Sequence, residues 1–223
     1  MCSRFSFVAS AEKMRRQFNL NTKRKLQKSY NIGASQNAYV LTNKSLNLQI
    51  FRWGLIPSWA NDEKVGLNLI NASASGIASK LSFRLPIRQR RCIVFADSYY
   101  DWKKVGRNRQ AYRVVMNNSY LMAFAGVWDT WVNKKHRVFK TFSIITTQAN
   151  RDLQWLNTQM PVILATTASQ TCWLAETPLT TSLNLLKPLA EGLLKHYPIS
   201  NEVKDLDNNY PSLHDPFKLD TKP

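Results

Sequence analysis

The chain is poor in acids, glycine and cysteine. Its 223 residues hold 14 Asp+Glu against 31 Lys+Arg, with 7 Gly and 3 Cys. An odd, small number of cysteines excludes a disulfide framework and fits a reducing compartment. CxxC, HExxH and P-loop patterns are all missing, and so few glycines make no phosphate cradle, so neither a metal nor another cofactor is expected. No stretch approaches the ~18–20 uninterrupted apolar residues of a membrane span. The first residues, broken by Arg4 and Glu12, lack the apolar core of a signal peptide. A soluble, cytoplasmic protein without a membrane partner is therefore expected.

What is present is positive charge and aromatic bulk. The formal net charge is +17, unevenly placed. Glu12 is the only acid among residues 1–30, and Asp97 and Asp101 are the only acids among residues 84–113, where Arg84, Arg88, Arg90 and Arg91 cluster. From Glu176 onward acids outnumber lysines. Such a surface attracts a polyanion by counterion release, and nucleic acid is the most plausible one. Apolar residues at 44%, with 7 Trp, 8 Tyr and 10 Phe, supply a real core. One domain over 1–223 is expected, with a core of about 2–200 and an acidic tail of about 201–223 wrapping over the surface.

Ser10 precedes a short helix, Ala-Glu-Lys-Met-Arg-Arg-Gln-Phe, with Met14 and Phe18 on one face. Residues Ala38–Thr42, Leu48–Trp53, Cys92–Ala96, Ala111–Met116, Leu121–Trp128 and Val138–Thr146 read as strands. Asn117-Asn118 reads as a hairpin turn and Asn133-Lys-Lys as a looser one. Ala149–Leu156 and a Ser169-capped Ser169–Ala175 read as helices. Without a βαβ rhythm, the fold class is α+β, β-rich, a mostly antiparallel sheet or open barrel flanked by short helices. Cys92 and Cys172 read as small buried hydrophobes. His136, His196 and His214 read as ordinary surface residues. The tryptophans read mainly as core, with Trp59 of the Pro57-Ser58-Trp59 corner the best candidate for stacking on bases.

Cys2 carries the most chemistry. Trimming of Met1 would leave a 1,2-aminothiol, which condenses with an aldehyde to an imine and then a five-membered thiazolidine. Reference pKa values of about 7.7–8.0 for the amine and about 8.5 for the thiol let both titrate near neutral pH.

Nine segments in order carry a family resemblance. After Cys2 come Tyr30-Asn31-Ile32, Arg52-Trp53-Gly54-Leu55-Ile56-Pro57-Ser58-Trp59, Ile70-Asn71-Ala72 and Ser82-Phe83-Arg84. Then follow Arg91 to Trp102, Phe124 to Trp128, Thr146 to Asn150, Met160 to Leu164 and Tyr197 to Ser200. Together they resemble the SRAP family of SOS-response-associated peptidases, or abasic-site-processing proteins, from Cys2 to about Ser200. The resemblance implies a β-rich fold with a basic groove leading to Cys2, and single-stranded DNA containing abasic sites as partner. It implies covalent capture of the ring-opened sugar by Cys2 as a thiazolidine DNA–protein cross-link. It also implies autocatalytic removal of N-terminal residues.

By the same resemblance Cys2, Asn71, Asp101 and Asn157 are the catalytic candidates. The family's Asn-Ala-Arg-Ala-Glu reads Asn71-Ala72-Ser73-Ala74-Ser75 here, so a phosphate contact is weakened at Ser73. Its Gly-Phe-Tyr-Glu-Trp reads Ser98-Tyr99-Tyr100-Asp101-Trp102, keeping a shorter carboxylate as proton relay. Its histidine three residues before Met-Pro is Asn157, which cannot exchange a proton near neutral pH, and its arginine is Gln159. Cross-link formation is therefore expected to survive better than reversal. Arg4, Arg52, Arg84, Arg90 and Arg91 are expected on DNA phosphates, with Trp59 splaying the strand. A monomer, nucleoid-associated when bound to DNA, is expected. Two rival readings stand: a DNA-binding module that has lost the chemistry, and an N-terminal-nucleophile peptidase.

Overall fold

Aromatic and β-branched runs form strands, and the computed structural model, which describes residues 2–22 and 25–218, arranges them in two sheets. The first is antiparallel throughout. β1 (Arg4–Phe7) lies between β2 (Ser29–Ile32) and β7 (Ser98–Val105), followed outward by β8 (Asn108–Met116) and β12 (Leu194–Pro198).

The second sheet closes on itself. β3 (Asn37–Thr42) pairs with β4 (Ser45–Trp53) and β6 (Arg91–Ala96), and β6 pairs with β9 (Met122–Val132). β10 (Val138–Gln148) forms a hairpin with β9 and returns in parallel to β4, completing a five-stranded barrel. Two short strands extend the C-terminal end of β10: β5 (Asn71–Ser73) in parallel and β11 (Gln159–Pro161) antiparallel. Closure leaves few unpaired edges.

The barrel and sheet share one core. Phe5 of β1 packs against Trp53 with ring centroids 4.9 Å apart and against Phe124 at 6.2 Å. Tyr99 of β7 meets the same Phe124 at 6.2 Å. Phe5, Trp53 and Phe124 are wholly buried, so the sheet carrying the chain's start is fixed to the barrel by aromatic packing.

Among the described residues, four α-helices are peripheral. α1 (Ala11–Phe18) starts at Ser10, whose Oγ accepts from Lys13 N–H at 3.1 Å, and buries Met14. α2 (Pro86–Gln89) is a single turn and α4 (Leu179–Asn184) is less than two turns. α3 (Thr167–Leu174) begins two residues before the expected start, because Thr166 is its cap and Ser169 is the third residue of a capping box.

Several expectations are corrected. Asn117-Asn118 is not a hairpin turn: β8 pairs with β7 and β12, while β9 pairs with β6 and β10, so this turn carries the chain between sheets. Residues 149–156 are not a helix but successive turns, in which Asn150 C=O accepts from Leu153 and Gln154 N–H and Leu153 C=O from Leu156 and Asn157 N–H. His214 is no surface residue, since its ring packs on Tyr30 at 4.9 Å and its Nε2 is buried without a partner among the described residues. Cys92 is buried as expected, but Cys172 is only partly so. The acidic segment does not merely drape, because Val203 and Leu213 bury against Tyr100 and Ala111. Met1, whose removal the chemistry requires, and residues 219–223 of that segment lie outside the described residues. Among the described residues no helix is long and apolar enough to cross a membrane.

Candidate functional site

The site forms where the sheet meets the barrel. β1 is held in place by Asp97, whose carboxylate accepts from Val8 N–H at 2.9 Å, Ser6 Oγ at 3.0 Å and Arg113 at 2.9 Å. The register pairs Arg4 with Tyr100, so one step further the start of the chain runs beside Asp101. From the barrel side, Asn71 opens β5 and donates its Nδ2 to the carbonyl of Cys2 at 2.6 Å. Its Oδ1 is buried with no partner among the described residues.

The loop before β5 is set by a close backbone approach. Gly54 has φ +111°, and a Cβ there would meet the carbonyl oxygen of Gly66 at 2.6 Å. Trp53 Nε1 then donates to Ile70 C=O at 2.8 Å, fixing the residue before Asn71.

Asn157, just before β11, completes the cluster. Its amide donates to both Asp101 oxygens, at 2.8 and 3.0 Å, while Trp102 N–H donates to Oδ1 at 2.9 Å. Burial pushes the Asp101 carboxyl above the usual range, and the hydrogen bonds from Asn157 and Trp102 oppose that rise. Cys2 is fully buried, and its thiol, pushed up to about 12 first by burial and then by Asp101, stays protonated. Its Sγ points to Arg4 C=O at 3.8 Å. Tyr99 also borders this cluster, its hydroxyl held well above its ordinary value by burial and by Cys2 and Asp101. Sequence reasoning missed that role, since a tyrosine in a strand gives no signal of what it faces. With Met1 still attached, Cys2 offers no free α-amine.

The four catalytic candidates thus converge, whereas the expected phosphate contacts separate. Arg91 is corrected: it is 1% exposed and donates to the carbonyls of Trp173 at 2.7 Å, Ile87 at 3.1 Å, Arg88 at 3.1 Å and Ala175, so it cannot reach a phosphate. Arg4 is also engaged, donating to Lys204 C=O at 3.1 Å, and a Cβ on Gly33 would collide with it. Arg52 pairs with Glu63 at 2.8 Å, and both remain partly open to solvent. Arg90 pairs with Asp129, whose other oxygen accepts from Ser58 N–H at 3.1 Å. Asp129 therefore ties Arg90 to the base of the Trp59 corner, where Trp59 is 55% exposed. Arg84 is exposed, and its guanidinium has no partner among the described residues. Ser73 lines a neutral cavity beside Asn71.

Comparison with known proteins gives this geometry a context. A family model described as SOS response associated peptidase (SRAP) matches residues 1–206. The abasic site processing protein YoqW of Bacillus subtilis (strain 168) is 35% identical over 223 residues, 96% of this chain and 98% of its own. The abasic site processing protein HMCES of Gallus gallus is 29% identical over 197 residues, 77% of this chain and 58% of its own. Among solved structures, a protein from Bacteroides thetaiotaomicron superposes with a TM-score of 0.89 at 28% identity, covering 97% of this chain and all of that one.

Proposed function

Since the chain belongs to the SOS response associated peptidase (SRAP) family, we propose that it processes abasic sites in DNA, capturing the ring-opened sugar through Cys2 in single-stranded substrate. The observation that carries this reading is the convergence of Asn71, Asp101 and Asn157, from three separate strands or strand entries, on the first residue that could become N-terminal.

Removal of Met1 by hydrolysis of its peptide bond frees the Cys2 amine. That amine, unprotonated, adds to the aldehyde carbon of the open sugar, and loss of one water gives an imine. The thiol then adds across the C=N bond, its sulfur to carbon and its proton ending on nitrogen, to close the thiazolidine. Asp101 accepts the proton released from the attacking amine and returns it to the departing hydroxyl. Burial that raises this carboxyl above its usual range makes it a better proton acceptor than an exposed aspartate. Asn71, already on the Cys2 carbonyl, fixes the backbone from which amine and thiol project, and its unpartnered Oδ1 accepts from a sugar hydroxyl. Asn157 orients Asp101 but has no proton to exchange near neutral pH, which favours capture over reversal.

A second reading, binding of DNA without chemistry, draws on the burial of the Cys2 thiol and its high pKa. One experiment separates them. Protein whose intact mass shows loss of Met1 is incubated with a single-stranded oligonucleotide bearing one abasic site and run on a denaturing gel. A heat-stable adduct is expected from the wild type and none from Cys2→Ser. An adduct that persists in Cys2→Ser, or none from mature wild type, overturns the covalent reading.

A further inference from the structure

A cavity of about 480 Å³ lies next to the Cys2 cluster and carries no charged side chain in its lining, although the chain as a whole is +17. It is connected to the cluster twice. Ser73 lies two residues after Asn71 on β5, so both side chains project to the same side of the strand, about 7 Å apart along it. Gln159 of β11 donates its backbone N–H to Asn157 Oδ1 at 3.3 Å, the same Asn157 that holds Asp101.

The lining is rich in uncommitted hydrogen-bonding groups. Ser73, Ser75, Thr147 and Gln148 have no side-chain partner among the described residues, and Gln159 has only a long 3.4 Å contact from Thr146 to its Oε1. Leu183 and Leu186 give the cavity an apolar wall. Hydroxyls and amides that both donate and accept, set beside an apolar surface and without a cation, match a flat neutral ligand with polar edges. A phosphate would favour a cation, and the arginines at the Trp59 corner and Arg84 are elsewhere.

Resting on the proposed capture of abasic DNA, we propose that this cavity is a subsite for the unpaired nucleobase next to the abasic sugar, read along its edge by Ser75, Gln148 and Gln159 and packed on Leu183 and Leu186. Packing on the apolar wall is sequence-tolerant, because every base offers a flat face, and hydroxyls and amides that both donate and accept can meet differing polar edges. The subsite would select single-stranded substrate, since a paired base has its edge occupied.

The test uses two oligonucleotides of equal length and phosphate number, each with one central abasic site. In one the flanking nucleotides carry thymine, and in the other they are tetrahydrofuran spacers that lack both base and aldehyde. Wild-type protein is expected to form adduct about tenfold faster, at subsaturating concentration, with the thymine-flanked strand. The Ser75→Ala/Gln148→Ala double variant, altered only at exposed positions, is expected to bring the two rates within about twofold. Equal wild-type rates, or a preference unchanged in the double variant, overturn the subsite. Should neither strand give an adduct, the covalent reading fails, and equilibrium binding of the same two strands to Cys2→Ser decides the subsite alone. A tenfold binding preference for the thymine-flanked strand supports it. Equal binding, or none, overturns it.

Discussion

At the scale of single residues, Asn157 is the departure with the clearest physical consequence. Its amide supplies two of the three hydrogen bonds that favour the charged form of a mostly buried carboxyl. Replacing it by leucine leaves Asp101 with Trp102 N–H alone, which should cost about 2 kcal/mol near neutral pH. The pH dependence follows from the direction of the shift. Because the folded Asp101 titrates above its ordinary value, the folded chain holds more protons than the unfolded chain between those two pH values, and stability falls as pH rises through that window. Asn157→Leu raises the folded value further and extends the window upward. Urea unfolding at several pH values should therefore show a deficit that is largest at neutral pH and shrinks toward the ordinary carboxylate range. A deficit of equal size at every pH would contradict this account. The candidate residues could be picked out one by one, because Cys2, Asn71 and Asp101 sit in recognisable surroundings. Their mutual geometry was not. No local pattern announces that Asn157 reaches Asp101 across 56 positions, or that Asn71 reaches the Cys2 carbonyl across 69.

At the scale of elements, Arg91 shows how a basic cluster in sequence can be an internal brace. It opens β6, whose six residues are all buried, and its guanidinium crosses to the C-terminal end of α3 through Trp173 and Ala175. There it meets the end of the helix where carbonyls lack intrahelical partners. Arg91→Met should leave several buried carbonyls unsatisfied and lower stability by about 3 kcal/mol, read as a drop in thermal midpoint. A change of midpoint within error would remove the bracing role. The barrel strands were the most legible elements, because Cys92–Ala96 and the 122–127 stretch are continuous apolar runs, as expected for strands covered on both faces. β8 instead is mixed, with Ala111 buried on one face and Val114 and Met116 on the other among partly exposed neighbours, and that contrast marks the change of sheet at Asn117-Asn118. β1 and β2, of four residues each, and β7, whose burial runs from four buried residues to an exposed end, carry too short or too mixed a pattern to announce themselves.

At the scale of the whole molecule, net charge says how strongly a polyanion is drawn in but not which arginines touch it. Of the five expected phosphate contacts, Arg91 is internal, Arg4 is tied to Lys204, and Arg52 and Arg90 are paired with Glu63 and Asp129. Exposed pairs of the Arg52–Glu63 kind are weak enough to reopen toward a phosphate, whereas Arg90 would have to leave a nearly buried Asp129. Arg84 faces solvent with no partner among the described residues, so it contributes its charge to any strand passing it. For single-stranded DNA each neutralised phosphate contributes about 0.7 to the slope of log affinity against log salt. Titration of a fluorescent single strand at several salt concentrations should show Arg84→Gln reducing that slope by about 0.7. Arg91→Met, studied below its unfolding transition, should leave the slope unchanged. If the two variants behaved the other way round, the path of the strand would have to run over α3 and not past Arg84, and the burial of Arg91 would not describe the DNA-bound protein.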